Sequence, residues 1–333
     1  MKMKNKKFMF FIFIWLILVT LFASSLAFAD ESKTLRIGSS TSEGTPEVIA
    51  AHKFAEVLGK ISGGALEGKV LAGGLAGGER DIVEGQQLGI LEMSVVSGIF
   101  QNFDPAMMIL EYEFLFKNEE HIDKVFNGPV GEKIASRLIE KVGVRPLQIY
   151  MRTPRLLTTN RPIYSLEDLK GLKIRVPEMP ARVALWKALG ASPTPLAFPE
   201  VFTALQTGTI DGQENPIGLI YSSKFYEVVD WLALTNHVYG FMILNISEQA
   251  YQSLSVQEKE WVNVAAELSK YYNDKIVKET EKVHMEEVTK YMNVTEPDMG
   301  PWREATKDVY KQFIDIEGFE ELYLDIVEAG KDL

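Results

Sequence analysis

Beyond residue 30, apolar positions alternate between short runs of strand length and longer stretches at helical spacing. That alternation predicts an α/β fold. Residues 35–39 read as a first strand, and Pro46 opens a helix with Val48, Ile49, Phe54, Val57 and Leu58 on one face. Residues 69–71, 92–96 and 145–150 read as further strands, and helices are expected from Glu79, over 119–126 and over 130–141. Strands at 155–159 and 172–176 flank a short helix that Ser165 opens, with Asp168 completing a capping box. Helices at 180–189 and 198–207 and a strand at 242–245 follow. From Val256 to about Tyr291 there is neither proline nor glycine, which predicts one unusually long helix. The stretch 297–301 interrupts it, and two terminal helices are expected beyond.

No linker divides these elements cleanly. The expected division is a first lobe of 30–152 plus about 241–280 and a second of 153–240 plus about 281–333. A chain that crosses between lobes more than once leaves a cleft, a common place for ligands.

The first 29 residues differ in composition. Lys2, Lys4, Lys6 and Lys7 precede an apolar run at 8–22 broken only by Thr20, and Ala27-Phe28-Ala29 ends the segment. This predicts a signal peptide over 1–29, with a retained membrane anchor as the alternative. Loss of that leader takes the net charge from -11 to -15, which argues against a nucleic-acid partner but leaves room for a local positive pocket. Cysteine is absent, which excludes disulfides, thiolate chemistry, cysteine-bound zinc and a lipobox anchor. A periplasmic or cell-surface protein is expected.

Candidate chemistry is sparse. His52, His121, His237 and His284 are far apart, none with a second histidine at i+3 or i+4, so no metal and no cofactor is expected. In GGLAGGER, Gly73 and Gly78 have phosphate-loop spacing, but Glu79 and Arg80 stand where lysine and a hydroxyl residue are required. The segment reads as a turn before a helix, with Glu79 left as a contact for a sugar hydroxyl. Acidic pairs such as Glu111/Glu113 and Asp211/Glu214 have nothing in the sequence to fix their geometry, and no catalytic residue is assigned.

What remains is a group of arginines and amides. MRTPRLLTTNRP holds Arg152, Arg155 and Arg161, and Arg175 ends an apolar strand 20 residues beyond Arg155. Asp211-Gly212 reads as a turn, and Asn215-Pro216 as the N-cap and first position of a helix, an end that attracts anions. On spacing alone, Arg175 is either a solvated strand residue or an anion clamp.

The segments SLEDLKGLKIRVP, LGASPTPLAFPEVFTALQTGTIDGQENP and KFYEVVDWLALTNH resemble the solute-binding proteins of TRAP (tripartite ATP-independent periplasmic) transporters, of the DctP-like kind. LRIGSS and GGERDIVEGQQLGILEMSVV extend the resemblance across the chain after the leader. It implies a two-lobed flytrap with hinge strands and a long helix spanning both lobes. It implies capture of a carboxylate-bearing solute by hinge closure, delivery to small and large integral membrane subunits, and no catalysis. Arg175 then pairs bidentately with the carboxylate, Arg155 makes a second contact, Asn215 reaches the carboxylate, and Phe198 packs on the ligand. A planar guanidinium suits that task because its paired donors match a carboxylate, which lysine cannot reproduce.

Ser40 and Ser97 depart from the Asn and Glu of sialic-acid-binding members. With Glu79 they favour a uronate-like sugar acid, leaving C4-dicarboxylates, keto acids and sialic acid as alternatives. Tyr239 is either a stacking and hydrogen-bonding partner of the ligand or a core tyrosine of the hinge. A monomer is expected. The rivals from other classes are an extracellular enzyme on acidic sugars and a ligand-sensing module.

Overall fold

Leu35 and Ile37 are buried along β1 (Lys33–Gly38), as the alternation predicts. The computed structural model describes residues 32–333; the leader expected at 1–29 lies outside them. β1 pairs in parallel with β2 (Leu66–Leu71) and β3 (Met93–Val96). The connecting helices are α1 (Pro46–Ile61) and α2 (Glu79–Gln87). Val48, Phe54 and Leu58 are the buried face of α1. Turns of 3₁₀ helix over Gly98–Asn102 and Pro105–Glu111 lead to α3 (Glu119–Phe126), α4 (Pro129–Arg137) and β4 (Val144–Met151).

The chain then enters a second sheet through β5 (Arg155–Thr159), β6 (Lys173–Val176), α5 (Pro180–Ala188), β7 (Ser192–Pro195) and α6 (Val201–Gln206). β8 (Gly212–Pro216), α7 (Ile217–Ser222) and β9 (Trp231–Ala233) follow. It returns to the first sheet as β10 (Phe241–Ser247), antiparallel to both β3 and β4. After α8 (Glu248–Ser253) comes α9 (Val256–Val288), then β11 (Asn293–Thr295), α10 (Gly300–Thr306) and α11 (Phe319–Ala329). The strand orders are β2-β1-β3-β10-β4 and β11-β9-β5-β8-β6-β7, so each lobe has its own twisted sheet.

The long helix α9 ties the lobes. Its 33 residues span about 50 Å. Val262, Ala265 and Ala266 pack in the first lobe's core and Val288 in the second's. Ser255 and Glu258 form a capping box at its start. Among the described residues, no helix is long and apolar enough to cross a membrane.

The structure corrects the sequence expectation at β8. All five residues of Gly212–Pro216 form a fully buried strand between β5 and β6, not a turn followed by a helix cap. Pro216 takes the N-cap position that Asn215 was expected to hold. Its side chains are polar because their partners are polar: Gln213 bonds Thr158, and Glu214 bonds Arg155. The last helix also leaves the second lobe, to which residues 281–333 were assigned. Phe319, Leu322 and Ile326 of α11 bury their side chains with Ile122, Ile134 and Leu138 of the first lobe, where the apolar surface they need lies.

Candidate functional site

Polar residues gather where strand ends face the gap between the lobes. Ser40 lies just beyond β1, Ser97 just beyond β3, Arg175 and Pro177 at the end of β6, and Asn215 near the end of β8. Arg155 starts β5, which runs antiparallel to β8 and so brings it to the same edge. In α/β sheets this is where ligands bind. Together with Glu79, Ile99, Arg152, Glu178 and Phe198 these residues line one cavity between the lobes, a common place for ligands.

Three arginines reach this cavity, and the structure treats them differently. Arg155 is buried and forks onto Glu214, with Nη2 2.8 Å from Oε1 and Nε on Oε2. Glu214 is fully buried; burial would push its carboxyl up, yet Arg155 and then Arg182 hold it well below the usual range. The imidazole of His237 lies 3.1 Å from Glu214 Oε2, and burial pulls its pKa down, so a neutral ring completes the arrangement. Arg152 is paired more loosely: its Nη2 lies 3.1 Å from the buried Glu47 carboxylate, but neither that nitrogen nor Glu47 Oε1 makes a hydrogen bond among the described residues.

Arg175 is the exception. It is 3% exposed, yet among the described residues it has no carboxylate partner. Its Nε donates to the carbonyl of Leu196 at 2.8 Å, and its guanidinium carbon sits 5.8 Å from the centre of the Phe198 ring. Burial pulls its pKa down to about 10, with Glu214 acting in the other direction. A cation that folding has desolvated without a counter-charge gains most from an incoming anion.

The hydroxyl side of the cavity is also ordered. Ser97 donates to both oxygens of Glu79, from its backbone N–H at 2.9 Å and from Oγ at 2.8 Å. Burial raises the Glu79 pKa, and these two bonds oppose the rise. Ser40 and Thr41 add buried hydroxyls. Asn215 donates to Gln213 Oε1 at 2.5 Å, which fixes its amide and leaves its carbonyl oxygen as a further acceptor.

The lobes meet around this cavity. Gln101 accepts from the backbone N–H of Ala181 at 3.0 Å, and Asn102 donates to the carbonyl of Glu178 at 2.8 Å. Arg182 on α5 pairs with Glu111 and, at 2.7 Å, with Glu113. The glycine-rich turn closes the mouth: a Cβ on Gly78 would stand 3.2 Å from the Cβ of Ala197, and one on Gly74 2.8 Å from Pro199.

Seven of the eight residues singled out in the sequence therefore line one cavity: Ser40, Glu79, Ser97, Arg155, Arg175, Phe198 and Asn215. Tyr239 does not; it packs half-buried against the core that includes Phe241 and Ile243 of β10. Arg152 and Glu178 were not singled out. Arg152 lay in the quoted arginine cluster, and Glu178 directly follows the Arg-Val-Pro segment, so adjacency was the available signal. Among the described residues, no group of three or more His, Cys, Asp or Glu side chains could hold a metal.

Residues 37–316 match the family model described as bacterial extracellular solute-binding protein, family 7. A solute-binding protein from Roseobacter denitrificans is 40% identical over 293 residues, covering 87% of this chain and 89% of that one. The crystal structure of a TRAP periplasmic solute-binding protein from the same organism, with bound L-galactonate, superposes with a TM-score of 0.84 over 88% of this chain and 99% of that one, at 38% identity. One from Xanthobacter autotrophicus with bound β-D-galacturonate gives a TM-score of 0.84 at 30% identity, covering 88% and 99%.

Proposed function

Because the chain belongs to the bacterial extracellular solute-binding protein family 7, the solute-binding subunits of TRAP transporters, we propose that it captures a sugar acid whose carboxylate is held by Arg175. It is a binding protein of the extracytoplasmic space, not an enzyme, and it serves TRAP membrane subunits by delivering an organic acid. The observation that carries the ligand assignment is the buried Arg175 guanidinium, which has no carboxylate partner among the described residues. Asn215 and the face of Phe198 flank it, and Ser40, Thr41, Ser97 and Glu79 supply hydroxyl and carboxylate groups for a polyhydroxy chain. The bound L-galactonate and galacturonate of the two similar structures are acids of this kind.

Binding and closure are one event in this reading. Arg175, Arg155 and Asn215 belong to the second sheet, while Ser40, Glu79 and Ser97 belong to the first lobe. A ligand that touches both sets stabilises the closed arrangement, since only there does it make all its contacts. We also assign export to the 1–29 leader, cleavage before Asp30 and a monomeric mature chain, which the mature N-terminus and the solution mass test.

A thermal-shift screen tests the assignment. Galactonate, gulonate, galacturonate, glucuronate, succinate, a keto acid and sialic acid form the panel. A ligand at 100 times its Kd stabilises the fold by about 2.7 kcal/mol, a shift of several degrees. A sugar acid is expected to give the largest rise. A panel led by succinate, the keto acid or sialic acid instead of an aldonate or uronate, or one with no response, overturns it.

A further inference from the structure

We propose that the cleft takes polyhydroxy monocarboxylates and rejects the corresponding sugar diacids, with Glu79 and Glu178 enforcing the choice. This rests on the sugar-acid reading above and narrows it. The argument is a census of charge. Of the arginines lining the cavity, Arg155 is neutralised by Glu214 and Arg152 by Glu47, and both partners are buried. Among the described residues, Arg175 is the cavity-lining arginine without a carboxylate partner, which leaves its charge for one anionic group.

The remaining ionisable groups in the cavity wall are the carboxylates of Glu79 and Glu178, and neither takes part in a salt bridge among the described residues. Ser97 holds the Glu79 carboxylate with two donors, and each oxygen keeps a further lone pair. Glu178 is anchored through its backbone carbonyl by Asn102, which leaves its side chain without a hydrogen-bond partner among the described residues. Two carboxylates are suited to accept from hydroxyl groups. Neither supplies the cation that a second carboxylate needs, and negative charge on either repels it. Freeing another arginine for that second group would require breaking either the Arg155–Glu214 fork, which also engages the Glu214 carbonyl at 2.7 Å, or the buried Arg152–Glu47 pair, and would leave a buried glutamate unpaired. The cleft thus discriminates by repulsion as well as by attraction.

The test is calorimetric titration of the leaderless chain with galactonate, galacturonate and galactarate, the diacid of the same carbon chain. The better monoacid is expected to bind at least about 100-fold more tightly than galactarate, since like-charge juxtaposition in a binding site costs several kcal/mol. Glu178→Gln and Glu79→Gln should each narrow that gap at least about fivefold, because an amide removes the repelling charge while keeping an acceptor. Thermal melts check that both variants fold. Galactarate binding within about threefold of the better monoacid, or a gap unchanged in both folded variants, overturns the inference while the sugar-acid reading stands. Absence of binding by every acid overturns both.

Discussion

Replacing Arg175 with methionine should change stability and binding in opposite directions. Methionine keeps much of the side chain's length and removes the charge. With the lobes in contact around the cavity, Arg175 is buried and has no carboxylate partner among the described residues, and its pKa is drawn down to about 10. That fall corresponds to roughly 3 kcal/mol of penalty on the charged form. Against it stands the bond from Nε to the Leu196 carbonyl at 2.8 Å, a charge-assisted contact worth about 1.5–3 kcal/mol. The unliganded variant should therefore be as stable as the parent or up to about 1.5 kcal/mol more so, as when a buried charge is exchanged for a packed apolar group. Binding should suffer instead. Losing one partner of a buried ion pair costs about 2–5 kcal/mol, or roughly 30- to 5,000-fold in Kd. Arg175→Lys keeps the charge but loses the fork, and should bind at least about tenfold more weakly. Thermal melts with and without a sugar acid, paired with calorimetry, read both effects. A Kd within threefold of the parent would falsify the clamp. An unliganded melting temperature lowered by several degrees would show that the charge is compensated in a way the packing does not reveal.

Other perturbations separate the remaining parts of the site. Glu214→Ala leaves Arg155 buried and unpaired, and should cost about 3–5 kcal/mol in urea denaturation; a loss below 1 kcal/mol would mean the pair is replaceable by solvent. Gly78→Ala brings a methyl to 3.2 Å from Ala197 across the mouth while the backbone φ of -73 suits alanine. Stopped-flow release should quicken several-fold, reflecting about 1 kcal/mol of overpacking in the closed form, and an unchanged release rate refutes the contact. Glu113 gives a pH signature. Burial raises its carboxyl to about 7, with Arg182 opposing. The fold then binds more protons than the unfolded chain between about pH 4.3 and 7. Its contribution is fully present below that window and is lost as pH rises through 7. Denaturation of Glu113→Gln at pH 4 and 8 should show the variant gaining on the parent by up to about 3 kcal/mol at the higher pH; a constant difference refutes the assignment.

The sequence made some parts of this molecule legible and hid others for physical reasons. Periodicity places α1 because one face is continuously buried, and the lack of proline and glycine places α9. It fails at β8, where Gly-Gln-Glu-Asn-Pro contains no apolar side chain except the proline ring yet is wholly buried. The strand is held by its backbone ladder and by polar partners that lie 55 and 59 residues away, Thr158 and Arg155. β7, reading Ser-Pro-Thr-Pro on the sheet edge, is hidden by its prolines. The cleft residues were found through short motifs, but their roles were not. Nothing local distinguishes Arg155, which folding neutralises, from Arg175, which has no carboxylate partner among the described residues. That distinction depends on Glu214, whose position could be read only after β8 was known to pair with β5.

The path of the last helix bears on how motion in this molecule could be reported. β1 begins the first lobe's sheet, and α11 packs back onto that same lobe, with Lys117 bonding the Gly330 carbonyl at 2.7 Å. Both ends of the described chain are therefore passengers on one body. A pair of fluorophores fused to the two termini would keep its separation as the cleft opens and shuts, and would read as silent even with saturating ligand. A responsive optical reporter needs one dye in the second lobe, for which the exposed turn at Lys224 between α7 and β9 offers a surface position.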